Sequence, residues 1–306
     1  MITAVVFAGQ GDERPGMGLD LAAASRRAAD LLGHASELTG VDLFRELDRC
    51  GPALRRTDVV QAAMAAVGLG VFLELRDAGA RPDLVAGHSS GEIAALAAAG
   101  WVPADRAVEL AGLRGSLMAR EARTRPGGML AVFLDTEEAV AEAVEHGRRR
   151  GRLDIAAHNG PGEWVLTGDD DALRLVASEV PSKRLSVSGS WHGPAMAGAV
   201  DELRDALSSR MIEPEPGSPH LVGNRAGEVI GIGVDLAGEI AGQLARPVCL
   251  IQVFETFSRL GVTDVVVAGP GRALRGLIRR NMGQRVAVHG TDDIADLRAV
   301  IEVLGQ

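Results

Sequence analysis

The sequence predicts an α/β protein in which a small subdomain is inserted into a larger α/β domain. Three observations support this prediction. A short apolar run ends at a serine-containing turn that opens an alanine-rich helix. The middle third alternates strand and helix patterns in the order βαββαβ, and a late apolar run at 264–268 leads into a glycine-rich turn and a basic helix. A chain of 306 residues is also long for one compact core, which favours two parts.

The first third of the chain alternates predicted strands with helices. Apolar runs at 2–8 and 83–87 are typical of buried strands. The stretch from 19 to about 75 shows helical alanine and leucine periodicity, and 91–99 forms an alanine-rich helix that stops at Gly100. The order strand, tight turn and helix exposes the residue at the turn.

The middle third predicts a unit of its own. Its elements are a strand at 129–134, a helix at 136–149, strands at 153–158 and 163–167, a helix at 169–179 and a strand at 184–188. This βαββαβ order is that of the split βαβ, or ferredoxin-like, arrangement, which is complete within roughly 60 residues. We therefore expect a small ferredoxin-like subdomain at 124–188 and a large domain made of 1–123 and 189–306.

Composition limits the classes of partner. A net charge of −9 argues against nucleic acid or an anionic membrane as the main partner. Two cysteines, Cys50 and Cys249, are too few for a disulfide framework and fit a reducing compartment. No signal-peptide pattern is visible, and no apolar run reaches the roughly 18 residues of a membrane span. We expect a soluble, cytoplasmic protein.

The segment Gly87-His88-Ser89-Ser90-Gly91 has the G-x-S-x-G pattern of a nucleophile elbow. The small neighbours relieve crowding at a sharp turn, and the serine hydroxyl projects from the sheet edge. Alone the pattern arises by chance in Gly- and Ala-rich chains, but here it follows an apolar run and precedes a strong helix. The sequence therefore predicts Ser89 as a nucleophile, with the Ser90 N–H at the helix start pointing toward the developing oxyanion.

A serine nucleophile needs a base, usually histidine. The candidates are His34, His88, His158, His192, His220 and His289. His88 adjoins the nucleophile, but its side chain should point away from Ser89, so it is expected to line the pocket. His192 lies where the inserted unit returns to the large domain, and clefts between domains are preferred ligand sites. We predict His192 as the base.

Several ordered motifs resemble the malonyl-CoA:acyl carrier protein transacylase family, including the acyltransferase domains of polyketide synthases. They are Phe7-Ala8-Gly9-Gln10-Gly11, Gly87 to Glu92 (G-H-S-x-G-E), Arg114-Gly115-Ser116-Leu117-Met118, Asn159-Gly160-Pro161, His192 with Met196, and Gly269-Pro270-Gly271. The resemblance covers nearly the whole chain. It implies an α/β-hydrolase-like large domain with a ferredoxin-like insertion, which agrees with the patterns above.

The resemblance also implies a mechanism. Ser89 would be acylated with His192 as base and then acid, and the histidine's partner in this family is usually a backbone carbonyl. Backbone N–H groups of Gln10 and Ser90 would hold the oxyanion, and Arg114 would pair with an acyl carboxylate. Transfer would be ping-pong, from an acyl thioester to serine and on to a phosphopantetheine thiol. No bound cofactor and no metal are implied, because coenzyme A or the carrier's phosphopantetheine is itself substrate.

Departures from the family pattern cluster near the acyl pocket. Trp191 precedes the histidine where relatives carry smaller or different residues, and Cys249 stands where relatives have a polar side chain that would help hold Arg114. We therefore expect a trans-acting acyltransferase of polyketide biosynthesis with an acyl unit other than plain malonyl. This unit would be a larger acyl or aminoacyl group, passed from coenzyme A or from another carrier protein. Ordinary malonyl transfer is the alternative, since Arg114 is retained.

The expected partner is an acidic acyl carrier protein, so a basic patch near the cleft is expected despite the net charge. Candidate docking residues on the late basic helix are Arg272, Arg275, Arg279 and Arg280, and a second cluster lies at 148–152. A monomer is expected. Two rival functions remain open: a serine esterase or thioesterase, which shares the elbow, and a catalytically silent docking module, for which an intact Ser89 and His192 would be unexpected.

Overall fold

A computed structural model describes residues 1–305. Its strands are β1 Thr3–Phe7, β2 Leu84–Gly87, β3 Gly128–Phe133, β4 Leu153–Gly160, β5 Glu163–Gly168, β6 Ser182–Arg184, β7 His220–Leu221, β8 Val248–Cys249, β9 Asp264–Ala268 and β10 Ala287–Gly290. Its α-helices are α1 Leu19–Ala24, α2 Arg26–Thr39, α3 Leu43–Arg49, α4 Thr57–Asp77, α5 Gly91–Ala98, α6 Ala104–Thr124, α7 Glu137–Gly147, α8 Asp170–Ala177, α9 Val200–Ser208, α10 Leu236–Gly242, α11 Leu250–Arg259, α12 Arg272–Met282 and α13 Ile294–Leu304.

The large domain is built on a parallel five-stranded sheet in the order β10-β9-β1-β2-β7. The central strands are buried along their whole length, as the apolar runs predicted. Phe7 is in register with both Gly87 and Ala268, so β1, β2 and β9 end at the same edge. The loops that follow them therefore meet there, and one of these loops carries Ser89.

Helices α4 and α6 pack closely beneath this edge. A Cβ added at Gly115 of α6 would lie 2.4 Å from the Thr57 carbonyl oxygen of α4. This approach requires glycine and fixes Arg114, the preceding residue. Within residues 1–305, α4 is the one helix long and apolar enough to cross a membrane, and 83% of its apolar window is buried inside the fold.

The predicted ferredoxin-like subdomain is confirmed by the second sheet, whose order is β6-β3-β5-β4-β8. Among its first four strands each neighbouring pair is antiparallel, as the βαββαβ order requires. One face carries α7 and α8 over a separate small core. Residues of the other face join the main core of the large domain, among them Met129, Ala156, Ala157 and Val165.

Two features of this sheet differ from the sequence prediction. The last strand was expected at 184–188 but lies at Ser182–Arg184, because Leu185 and Val187 pack against the large-domain core instead of extending the sheet. The fifth strand, β8, comes from the large domain and pairs in parallel with β4, which places Cys249 opposite His158. Two-residue strands carry no periodicity, so the sequence could not indicate β8.

Candidate active site

Ser89 lies on a strained turn between β2 and α5. Its φ is 53°, in the left-handed region that non-glycine residues rarely adopt. A Cβ on Gly87 would lie 2.1 Å from the carbonyl carbon of Gly91, and a Cβ on Gly91 would lie 2.2 Å from the Phe7 carbonyl oxygen. Both glycines are therefore required for the turn, which presents the Ser89 hydroxyl at the sheet edge.

His192, which follows the segment that returns from the small subdomain, reaches Ser89. Its Nε2 lies 2.7 Å from the Ser89 Oγ, and its Nδ1 lies 2.8 Å from the Gln243 carbonyl oxygen. The carbonyl accepts only, so Nδ1 carries the proton and Nε2 accepts from the serine hydroxyl. The structure thus brings together the two residues that the sequence singled out, and a backbone carbonyl takes the place of a triad acid.

The surroundings keep His192 neutral. Burial and, to a smaller extent, the positive charge of Arg114 lower its pKa to about 3, although the hydrogen bond to Gln243 opposes both effects. Burial likewise lowers the pKa of His88 to about 4, against the negative charge of Glu163. A neutral imidazole that faces a serine hydroxyl can accept a proton at neutral pH.

Arg114 lies beside the nucleophile and is 1% exposed. Its Nη1 donates to Gln61 Oε1 at 2.7 Å, and its Nη2 donates to Gln243 Oε1 at 2.6 Å. Nη2 also lies 3.4 Å from the Ser89 Oγ. Burial lowers the pKa of Arg114 to about 10, so the guanidinium remains a cation at neutral pH.

Two buried residues at the centre of the site were missed by the sequence reasoning. Gln243 accepts from Arg114 and from His192, and its Nε2 donates to Glu92 Oε2 at 2.5 Å. Burial raises the pKa of Glu92 to about 7, although its hydrogen bonds to Asn224 oppose this. Glu92 could have been found, because it ends the G-H-S-x-G-E motif. Gln243 lies in an irregular stretch with no pattern of its own.

The predicted oxyanion donors lie next to each other. The Gln10 N–H donates to Ser90 Oγ at 3.3 Å, and Ser90 directly precedes the first residue of α5. The Gln10 side chain is fixed by Thr57, whose hydroxyl donates to Oε1 at 2.6 Å. The Gln10 N–H in the loop after β1 and the Ser90 N–H at the start of α5 lie beside Ser89 and suit an oxyanion.

Two predicted substrate contacts are placed differently by the structure. Cys249 lies in β8, where its N–H donates to the Asn224 carbonyl, and it is not among the hydrogen-bond partners of Arg114. The Trp191 ring is buried over Gly189 and close to Ala122. Ala122 is about 12 Å along α6 from Arg114, at 1.5 Å per residue. Trp191 therefore fills the core behind the histidine loop. His88 is half-buried beside Ser89.

The docking arginines are only partly free. Arg275 was expected on an open face, but it pairs with Asp292 at 2.6 Å and is largely buried, because its side of α12 packs toward the loop after β10. Arg279 donates to the Val288 carbonyl. Arg272 and Arg280 border a cavity of about 640 Å³ between the Gly11 loop and α12. In the second cluster, Arg148 and Arg152 pair with Asp154 and Asp169.

Four other candidate histidines of residues 1–305 have different surroundings. His289 lies 3.0 Å from Asp264, His34 lies 3.6 Å from Glu109, and His158 stacks on Trp164. His220 is exposed in β7 at the edge of the large sheet. The distances leave His192 as the histidine that contacts Ser89.

Residues 4–228 match the family model of the acyl transferase domain. The chain belongs to this family. It is 30% identical over 311 residues to a malonyl CoA-acyl carrier protein transacylase of Haemophilus influenzae, with 98% of each chain covered. It is 37% identical over 315 residues to a part of polyketide synthase GfsA of Streptomyces halstedii, a match that covers 97% of this chain and 4% of the synthase.

Solved structures agree with this membership. A type II polyketide synthase acyl-carrier protein in complex with its malonyl-transacylase is similar at a TM-score of 0.90 and 27% identity, over 99% of this chain and 100% of the other. The protein is therefore an acyltransferase with the large α/β domain and small ferredoxin-like subdomain of this family.

Proposed function

We propose that this acyltransferase moves a carboxylate-bearing, malonyl-type acyl unit from a thioester through an ester on Ser89 to the phosphopantetheine thiol of an acyl carrier protein. One observation supports this most strongly. Arg114 is a buried cation whose Nη2 lies 3.4 Å from the Ser89 Oγ and which keeps two glutamine partners. A buried guanidinium beside a nucleophile suits an acyl group that ends in a carboxylate.

The geometry supports a two-step transfer. Ser89 Oγ attacks the thioester carbonyl while its proton passes to His192 Nε2, 2.7 Å away. The N–H groups of Gln10 and Ser90 stabilise the tetrahedral oxyanion. The C–S bond then breaks, and His192 returns the proton to the departing thiolate. In the second half the carrier's thiol gives its proton to His192 and attacks the ester carbonyl. The ester C–O bond then breaks, and His192 returns the proton to Ser89 Oγ.

Both grounds for an unusual acyl unit are weakened. Trp191 packs in the main core, and Gln61 and Gln243 hold Arg114 without a contribution from residue 249. A larger acyl group stays a second candidate because of one observation. A cavity of about 380 Å³ lies between His192 and the small subdomain, bordered by Gly193, Val144 and Ile155.

The proposed partner is an acyl carrier protein, like the one bound in the similar malonyl-transacylase complex. An acidic carrier needs basic side chains at the cleft. Arg272 and Arg280 border the larger cavity, and Arg280 stays exposed although it pairs with Glu163, so they replace the largely buried Arg275 as the proposed contacts. Incubation with a panel of thioesters also tests whether the acyl donor is a coenzyme A thioester or another carrier protein.

Intact-mass measurement after incubation with a panel of thioesters tests this function. Malonyl-CoA is expected to add one acyl group to the wild type and none to Ser89→Ala. Arg114→Ala should lose malonyl labelling by a factor of about 100, equivalent to about 2.7 kcal/mol, and keep labelling by acetyl-CoA.

Selective labelling by a longer acyl or aminoacyl thioester would contradict the malonyl proposal. The acyl-enzyme should also persist in water and yield to added pantetheine. Rapid hydrolysis without transfer would instead assign the site to an esterase.

A further inference from the structure

We propose that Glu92 is a positioning residue that fixes the orientation of the Gln243 amide and thereby aims Arg114 at the acyl carboxylate. The acyl readout below rests on the proposed function. The side chains of Glu92 and Gln243 take no part in the proton transfers described above, and the Glu92 side chain makes no hydrogen bond to Ser89 Oγ or His192.

Gln243 connects the parts of the site that must stay aligned. Its Nε2 donates to Glu92 Oε2 at 2.5 Å and to the Ser89 carbonyl at 3.2 Å. Its Oε1 accepts from Arg114 at 2.6 Å, while its backbone carbonyl accepts from His192. The Gln243 side chain therefore holds Arg114, and the Gln243 backbone carbonyl holds His192.

An amide can turn by half a rotation and exchange its oxygen for its nitrogen, so something must select one orientation. Glu92 makes the shorter of the two contacts that select it, at 2.5 Å, and the Ser89 carbonyl makes the other at 3.2 Å. In its ionised form, which the hydrogen bonds from Asn224 and Gln243 and the charge of Arg114 favour, Glu92 offers acceptors only. It then requires the NH₂ side of Gln243 and leaves Oε1 for Arg114. The reversed amide would bring NH₂ against a guanidinium that has no acceptor.

Glu92 is itself held in place. It is 3% exposed in the first turn of α5, and its Oε1 accepts the Asn224 N–H at 2.7 Å. The Asn224 side chain donates to the Gly87 carbonyl at the end of β2. The carboxylate is thus fixed against the strand and helix that flank the nucleophile.

Glu92→Gln keeps the shape of the side chain but removes its preference for one orientation of the Gln243 amide. In the variant, the amide oxygen of residue 92 accepts from the Asn224 N–H, so the new NH₂ group faces the NH₂ group of Gln243. Gln243 then turns its side-chain oxygen toward residue 92. Arg114 then loses its acceptor, while the backbone carbonyl still holds His192. We expect kcat/KM for malonyl-CoA to fall by about 30-fold, mainly through KM, and kcat/KM for acetyl-CoA to change by less than about 3-fold.

The exchange variant Glu92→Gln/Gln243→Glu restores a donor opposite an acceptor and leaves a carboxylate oxygen for Arg114. It should recover a large part of the loss on malonyl-CoA, which a purely structural role of Glu92 would not produce. Glu239→Gln, which removes a surface ion pair with Arg225, is the matched control and should leave both thioesters unchanged. Equal losses on both thioesters, or no recovery in the exchange variant, would overturn the proposal.

A crystal structure of Glu92→Gln gives a readout that is independent of the acyl group. The contact between Arg114 and the side-chain oxygen of Gln243 should be lost, and its retention would overturn the proposal. If wild-type protein ignores malonyl-CoA but the contact is lost in the variant, the proposed function is wrong and the positioning role of Glu92 stands.

Discussion

At the scale of single residues, His192 can act as a base because its surroundings exclude the protonated form. Burial and the charge of Arg114 lower its pKa to about 3, from 6.5 in an ordinary histidine. The proton-accepting form therefore dominates from mildly acidic to basic pH. The same burial makes protonation of the folded state costly, since no carboxylate contacts either ring nitrogen among the described residues.

The pH dependence of acylation follows from this. The acid limb of kcat/KM reports the base of the free enzyme. Because the pKa of His192 is lowered, that limb should lie below about pH 5, with a flat profile from about pH 5 to about pH 8 for a neutral acetyl thioester. Stopped-time mass measurement of the acetyl-Ser89 ester gives the rate.

Glu92→Gln serves as the control for this profile, because burial raises the pKa of Glu92 to about 7 and only the wild type can show its titration. A limb near pH 6.5 in both proteins would contradict the assignment of a neutral, buried His192.

Sequence alone could single out the proposed nucleophile and base but not the residues that hold them in place. Ser89 lies in a local motif, and both its glycines and the helix that follows can be recognised in the sequence. His192 was found from its place at the return of the inserted unit. Gln243 had no such signal, because its role comes from a backbone carbonyl and an amide that meet Arg114 only after folding. The roles of Trp191 and Cys249 as substrate contacts stay predictions, because packing decides the direction of a side chain and no local pattern reports it.

At the scale of elements, α6 positions Arg114 through its close contact with α4. Gly115 makes this contact possible, since a Cβ there would lie 2.4 Å from the Thr57 carbonyl oxygen and 2.8 Å from the Asp58 Cα. Both atoms belong to backbone, so the helices would have to move apart. The glycine in the R-G-x-x-M motif is therefore a packing requirement for the arginine beside it.

Gly115→Ala should lower the free energy of unfolding by about 1–3 kcal/mol, despite the better helix propensity of alanine. It should also weaken malonyl transfer more than acetyl transfer, because Arg114 shifts with its helix. Urea unfolding and the two thioester assays measure these effects.

Gly112→Ala, one turn earlier, is the matched control for this helix contact. Its Cβ would meet only the Ala62 side chain at an ordinary 3.7 Å. We expect unchanged activity and a free energy of unfolding raised by up to about 1 kcal/mol. Equal behaviour of the two variants would show that the α4–α6 contact does not set the arginine.

At the scale of the whole molecule, the sequence predicted the inserted subdomain but not how this subdomain attaches to the large domain. The βαββαβ order follows from alternating periodicities and turn residues, so the four antiparallel strands could be predicted. The attachment depends on β8, which the large domain supplies to the edge of β4, and on the face of the sheet opposite α7 and α8. Both depend on contacts between residues far apart in the chain, which no local pattern reports.

This attachment predicts that the excised segment 124–188 does not fold by itself. Only one face of its sheet is covered by its own helices, through the small core that contains Val132, Leu166 and Leu173. The other face would expose Met129, Ala156, Ala157 and Val165, which pack in the large-domain core, and the edge of β4 would lose β8. Circular dichroism of the segment should show no cooperative thermal transition.

The intact chain should instead unfold in one step, because the two parts share a sheet and a core. Trp164 in β5 reports on the small subdomain once Trp101 and Trp191 are replaced by phenylalanine. Its urea transition should coincide with the far-ultraviolet circular dichroism of the same variant. A separate early transition at Trp164, or a cooperatively folded excised segment, would show that the subdomain is autonomous. In that case the position of His192 would depend on the cleft staying closed rather than on one continuous core.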